Sequence, residues 1–208
     1  MCVILICPAK VRPDDSTIDA CHRANPHGAG VAWRENNAVR WLKGLDPDDL
    51  ADLVPSLPGE IVIHFRWASV GEVTPALCHP FPVTRAATTR LSGHARAVLF
   101  HNGTWCDWER THAMMPRRLD GPLSDTRVAA ALVDCCGVET LNRMPGRYVF
   151  FERDFTLRFG GWFRHRGMLA SNLNFLSSTR AWKPLPASDK AHHQSKFAFV
   201  DQRGYLDT

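Results

Sequence analysis

At 208 residues, the chain is long enough for one large domain or two small ones, and a body of this size buries roughly 70% of the surface its unfolded form exposes. Lysine plus arginine number 25 against 21 aspartates plus glutamates, a net charge of +4, a mild excess that argues for neither a nucleic-acid nor a membrane specialist. No apolar run approaches the roughly 20 residues of a membrane-spanning helix, and residues 3–9 lack the basic flank and small-residue cleavage site of a secretory signal, so a cytoplasmic protein is expected.

The cysteines, Cys2, Cys7, Cys21, Cys78, Cys106, Cys135 and Cys136, are odd in number and form no Cys-x-x-Cys pair. Neither a disulfide framework nor a zinc site follows from that spacing. His192-His193 lacks the helical i, i+4 partner that a metal pair needs. No metal or cofactor is called for.

In chain order, Val3–Cys7 is a short apolar run that reads as one buried strand, with Cys2 directly in front of it. Val11–Ala24 mixes loop with a short helix. The breaker-rich Asn25-Pro26-His27-Gly28-Ala29-Gly30 turn leads into two β-prone runs, Val31–Arg34 and Ala38–Leu42, around Glu35-Asn36-Asn37, a hairpin pattern. Asp46-Pro47 opens a helix through Val54, since aspartate caps free N–H groups and proline fits the first turn. Ile61–Trp67 reads as a buried strand rich in β-branched residues. Residues 71–94 show no long period and read as loop.

Ala97–Phe100 is a further strand, ending on His101-Asn102-Gly103. Helices are expected at Trp105–Met115 and at Ser124–Cys136, where Ser124 or Asp125 caps and Val128, Leu132 and Val133 recur on one face; the Cys135-Cys136 pair is expected to pack. Between them, Met114-Met115-Pro116-Arg117-Arg118 is where a basic patch would form, and it reads as a solvated loop. Tyr148–Phe151 and Phe155–Phe159 make another hairpin, Met168–Ser171 follows, and Lys196–Val200 adds an edge strand. With no repeat and no dividing linker, residues 1–208 read as a single α+β domain, its antiparallel sheets covered by helices.

Polar residues gather where strands end: Cys2, then His64-Phe65-Arg66-Trp67-Ala68-Ser69, then His101-Asn102-Gly103, then Ser124-Asp125-Thr126 at a helix start. Loss of the initiator methionine would leave Cys2 with a thiol and an α-amine on one residue. That amine has an ordinary pKa of roughly 7.7–8.0, which suits it to act as base for its own thiol. Asn102 can offer a side-chain N–H and Gly103 a backbone N–H to a tetrahedral oxyanion. Arg66 carries the bidentate fork that matches a carboxylate, and Asp125 suits an ammonium. Taken singly, each has a structural reading: a turn for Asn102-Gly103, an ion pair for Arg66, a cap for Ser124-Asp125-Thr126.

As an ordered set, Met1-Cys2, Asn25–Gly30, His64–Gly71, Cys78-His79-Pro80-Phe81, His101-Asn102-Gly103, Ser124-Asp125-Thr126 and Ala170-Ser171-Asn172 resemble the class II glutamine amidotransferase domain of the N-terminal nucleophile (Ntn) hydrolase superfamily, closest to the small stand-alone phage and bacterial members. The resemblance spans about residues 2–175. It implies a four-layer αββα sandwich in which Cys2 attacks the glutamine side-chain amide, releases ammonia and forms a glutamyl thioester that water hydrolyses. By the same resemblance Asn102 and Gly103 form the oxyanion hole, Arg66 binds the α-carboxylate and Asp125 the α-ammonium, while Trp67 and Ser69 line the pocket. His79 and His101 shape loops without moving a proton.

The implied partners are glutamine or a related amide and a separate ammonia-accepting synthase subunit, not a membrane or a nucleic acid. Two departures bear on specificity: Val70 stands where many members carry a histidine, and Arg127 where they carry a glutamate. Two alternatives stay open, a stand-alone hydrolase of γ-glutamyl or other amides, and a catalytically silent binding module of the same fold.

Overall fold

The structure is a computed structural model and describes residues 1–177; the strand expected at Lys196–Val200 lies outside the described residues. The order of elements is β1 (Val3–Cys7), α1 (Asp15–Ala24), β2 (Ala29–Glu35), β3 (Ala38–Leu45), α2 (Pro47–Leu53), β4 (Ile61–Phe65), β5 (Phe81–Pro82), β6 (Ser92–Ala95) and β7 (Ala97–Asn102). There follow α3 (Trp108–Met114), α4 (Asp125–Cys136), β8 (Arg147–Glu152), β9 (Thr156–Phe159), β10 (Phe163–His165) and β11 (Met168–Ala170). Seven strands form one sheet in the order β10-β11-β1-β4-β2-β3-β6, and four form a second in the order β5-β7-β8-β9. Every strand pair is antiparallel.

Successive strand residues face opposite sides, and both faces of these sheets are covered. Ile4 and Ile6 of β1 meet Val98, Phe100, Val149 and Phe151 of the second sheet. Val3, Leu5 and Cys7 turn the other way, onto Ile18 and Cys21 of α1 and Leu50 and Leu53 of α2. On the far side, Leu99, Tyr148 and Phe150 meet Val128, Ala129 and Val133 of α4. The layers therefore run helix, sheet, sheet, helix. Burial on both faces explains why β1 is an unbroken apolar run and β4 is one interrupted only by His64, instead of alternating. Each fully buried aliphatic side chain contributes about 1.5–3 kcal/mol, so β1, buried at all five positions, is anchored firmly between β11 and β4.

Local rules set the connections. Asn36 and Asn37 take φ of 50° and 60°, the left-handed pair that a two-residue hairpin requires. Asp46 caps α2 in a reciprocal box with Asp49, and the Ser124 hydroxyl caps α4 by accepting from Arg127 N–H.

The structure corrects several expectations. The 71–94 stretch is not all loop. It holds a 3-10 turn at Pro75–Leu77 and both β5 and β6, strands of two and four residues, too short for a period to show, formed because β7 and β3 present edges to them. β4 stops at Phe65, so Arg66 and Trp67 leave the sheet, whereas β7 continues through His101 and Asn102. α3 begins only at Trp108, and β10 adds an edge strand that sequence reasoning missed. Cys135 and Cys136 are exposed at the end of α4, not packed.

Candidate active site

Cys2 sits at the mouth of β1, buried to 8% exposure. Its Sγ accepts a hydrogen bond from Trp67 N–H at 3.3 Å and donates to Trp67 O at 3.4 Å. Burial pushes the thiol pKa up; the Trp67 N–H, the nearby chain-terminal amine and the Arg66 guanidinium oppose that rise, and Asp125 adds to it. With Met1 in place the Cys2 nitrogen is an amide and has no lone pair to take a proton.

A cleft with an empty volume of about 270 Å³ opens on this sulfur, and its walls include Cys2, Arg66, Trp67, Ser69, Gly103 and Asp125. Six of the seven residues expected at the site thus share one cavity. They come from four separate places in the chain: the start of β1, the loop after β4, the loop after β7, and the first turn of α4.

Arg66 is nearly fully buried. Its Nη1 donates to Glu72 O at 2.8 Å and its Nη2 to Val70 O at 3.2 Å, so the guanidinium ties the 70–72 loop over the cleft. Burial lowers its pKa, while Cys78, Cys2 and Asp125 raise it. Val70 also lines the cleft, and its side chain carries no hydrogen-bond donor. Ser69 Oγ lies 2.9 Å from Thr104 Oγ1, linking the loop after β4 to the loop after β7.

Asp125 opens α4. Its Oδ2 accepts from Trp105 N–H at 3.0 Å and its Oδ1 from Thr126 N–H at 2.7 Å. His101 Nδ1 stands 3.5 Å from Oδ2, and Tyr148 stacks flat on the His101 ring at 4.1 Å. The carboxylate is thus buried yet held by three groups, as a buried charge must be.

Asn102 departs from the expected arrangement. Its side chain is buried but not on the cleft wall; Nδ2 donates to Ser171 Oγ at 2.8 Å. Gly103 is on the wall, and its need for glycine is one of space. A Cβ there would meet His101 Nε2 at 2.8 Å and Gly146 Cα at 2.9 Å, and its φ is not among the positive ones.

Arg127 does not bring positive charge into the cleft. Its guanidinium donates to the carbonyls of Ala87, Pro122 and Ala86 at 2.8, 2.7 and 3.2 Å, pinning the chain before β6 onto α4.

His64, His79 and His101 are linked beside the site, His64 Nε2 lying 3.2 Å from His101 O. His64 and His79 have ring centroids 3.9 Å apart, and His79 Nδ1 accepts from His101 N–H at 3.3 Å, a role open only to an unprotonated ring nitrogen. Burial lowers the pKa of all three. His79 and His101 line the cleft.

Sequence reasoning assigned no role to His27, Thr104 or Asn172. His27 stacks on Trp67 at 4.9 Å, its Nδ1 accepts from Ala68 N–H at 3.0 Å, and its N–H donates to Arg66 O at 3.0 Å. The glycine-flanked turn that precedes β2 was the available signal: it is the brace on which the loop carrying Arg66 and Trp67 rests.

No protein-family profile matches this sequence, and no curated protein matches it. Among solved structures, glutamine phosphoribosylpyrophosphate (PRPP) amidotransferase from B. subtilis, complexed with ADP and GMP, is similar at a TM-score of 0.50 and 15% identity, over 85% of this chain and 43% of that one. The chain has the Ntn hydrolase fold. In this Ntn fold the two antiparallel sheets and their outer helices bring the end of β1 beside the loops after β4 and β7. The chain spans less than half the length of that solved protein. Among the described residues, no helix of the Ntn fold is long and apolar enough to cross a membrane.

Proposed function

We propose that the 208 residues form one cytoplasmic domain that cleaves the side-chain amide of glutamine, in the manner of a class II glutamine amidotransferase, and yields ammonia for a separate acceptor enzyme. The observation that carries this reading is the shared cleft: a nucleophilic sulfur, a guanidinium and a carboxylate converge on one small cavity. Those two charges of opposite sign suit the α-carboxylate and α-ammonium of an amino acid, and the sulfur suits attack on its side-chain amide.

In this reading the Cys2 thiol gives its proton to the α-amine exposed by removal of Met1, and the sulfur adds to the amide carbon. The oxyanion takes the Gly103 N–H and an Asn102 N–H. Collapse of the tetrahedral intermediate breaks the C–N bond, the nitrogen leaves as ammonia with the proton held by the amine, and a glutamyl thioester remains. Water, deprotonated by the same amine, cleaves the thioester to glutamate and restores the thiol. Arg66 and Asp125 hold the amino-acid head through both halves. Val70 leaves the carboxylate to Arg66 and the Ser69 hydroxyl.

The test is ammonia release by purified protein lacking Met1, with glutamine and γ-glutamyl amides compared, and intact mass after exposure to a glutamine-mimicking diazoketone. One covalent adduct at Cys2 and turnover lost in Cys2→Ala are expected. Glutaminase activity that survives Cys2→Ala removes the mechanism, and turnover of other γ-glutamyl amides in preference to glutamine points to the broader hydrolase.

A further inference from the structure

Several hydrogen bonds converge where β11 ends. Ser171 is completely buried. Its N–H donates to Ile4 O at 2.9 Å, and its Oγ accepts from Ile4 N–H at 2.9 Å and from Asn102 Nδ2 at 2.8 Å. The next side chain, Asn172, donates through Nδ2 to Cys2 O at 2.7 Å. β1 and β7 belong to different sheets, so one oxygen atom joins the strand that carries the nucleophile to the amide of Asn102 across the interface between the sheets.

The protons at that oxygen can be counted. A serine hydroxyl has two acceptor sites and one proton. Both acceptor sites are taken, and Asn102 Oδ1 is buried without a partner among the described residues. Half a turn of the amide mates these two: the hydroxyl then donates to Oδ1 while still accepting from Ile4 N–H, and both Nδ2 hydrogens are released. The amide is nearly the same shape either way round, so Ser171 can hold it in both orientations. In the second, Nδ2 becomes a buried donor with no protein partner, which an oxyanion would satisfy.

We propose that Ser171 is a positioning residue of the amide-cleaving site, its hydroxyl orienting the Asn102 amide donor against the strand that carries Cys2. The proposal rests on the glutamine reading above. Alanine at this position keeps the backbone bond to Ile4 O but leaves the amide of Asn102 free to turn, so the damage falls on the transition state and not on binding of the amino-acid head.

The test is a double-mutant cycle of wild type, Ser171→Ala, Asn102→Ala and the combined variant, with initial rates of ammonia release from glutamine and thermal unfolding measured on each. Ser171→Ala is expected to lower kcat about 10–100-fold, with KM within about threefold, as for partial loss of an oxyanion donor. In the Asn102→Ala background the same change should cost less than about twofold, because Ser171 acts through an amide already removed. Equal losses in the two backgrounds, or Ser171→Ala within about twofold of wild type, overturn the proposal. Should Ser171→Ala not fold, Ser171→Cys, which keeps the volume but bonds weakly, takes its place in the cycle, and the same pattern of losses supports or overturns the proposal. Wild type that releases no ammonia overturns the glutamine reading and this proposal with it; active wild type with an indifferent Ser171 removes only Ser171.

Discussion

The sulfur of Cys2 is hydrogen-bonded to both polar groups of the Trp67 peptide, 3.3 Å from its N–H and 3.4 Å from its carbonyl oxygen. Only the neutral thiol satisfies both, since a thiolate accepts from the N–H and is repelled by the carbonyl. The resting site is therefore a protonated one, in keeping with a thiol pKa pushed up by burial, and it needs a local base. Protein with Met1 retained should release ammonia at least about 100-fold more slowly than trimmed protein, within the range by which general base catalysis accelerates such steps. Rates for the two forms, separated by mass, check this; equal rates would show that the α-amine is not the base.

Arg66 and Asp125 should separate by substrate. A hydrogen bond to a charged group is worth about 1.5–3 kcal/mol, or roughly 10–150-fold in kcat/KM. Asp125→Asn is expected to lose that much on glutamine and almost nothing on the analogue lacking the α-amine. Arg66→Lys should lose as much on both, because the lysine cannot replace the fork that holds the Val70 and Glu72 carbonyls. Steady-state kinetics with the two substrates decide the assignment; Asp125→Asn harming both equally would leave it a structural role.

Acid should unfold this protein through its buried imidazoles. Burial, aided by the Arg66 charge, lowers His64 from 6.5 to about 3, and burial lowers His22 to about 4. Each group binds a proton in the unfolded chain near pH 6.5 and in the folded chain only well below it. The unfolded state thus holds more protons in that window, and stability present above pH 6.5 is lost as pH falls toward 3. Each such histidine adds a slope of about 1.4 kcal/mol per pH unit. Denaturant midpoints measured between neutrality and mild acid should fall steeply, and less steeply in His64→Phe if that variant folds.

Lys43 works in a higher window. Its amine is completely buried, lies 4.0 Å from the Phe81 ring centroid, has no hydrogen-bond partner among the described residues, and is lowered by burial from 10.5 to about 7. Stability should therefore fall as pH drops from 10.5 to about 7 and level off below. Lys43→Met fills the same space without a charge. It is expected to be more stable than wild type at neutral pH and to lose that advantage toward pH 10; a gain independent of pH in chemical denaturation would refute the electrostatic cause.

Gly30 is fixed by contact. A Cβ there would lie 2.0 Å from His79 O and 2.8 Å from Lys43 Cβ, so Gly30→Ala must push β2 away from the chain entering β5. Overpacking of this kind costs about 1–3 kcal/mol and sometimes more. A lowered thermal midpoint together with reduced turnover is expected, since His79 also lines the cleft.

Much was legible along the chain because local rules decide it. The largely apolar runs of β1 and β4, the two-asparagine hairpin between β2 and β3, the capped starts of α2 and α4, and the order of the polar clusters at strand ends all depend on neighbours within a few residues. β5 and β6 depend on the edges of strands elsewhere in the chain, β10 is a three-residue strand folded back on β11, and all three are too short to carry a period. They were illegible for that reason.

The sequence by itself determined which residue types could meet at the end of the sheets: a cysteine, an arginine, an asparagine-glycine pair and an aspartate. Only the tertiary structure decided how they meet. It turned Arg127 onto the Ala86, Ala87 and Pro122 carbonyls, turned the Asn102 amide onto Ser171, and laid the Arg66 guanidinium along its own loop. Side-chain direction follows from where buried polar atoms find partners, and those partners lie as many as 170 residues away in the chain, as Cys2 does from Asn172.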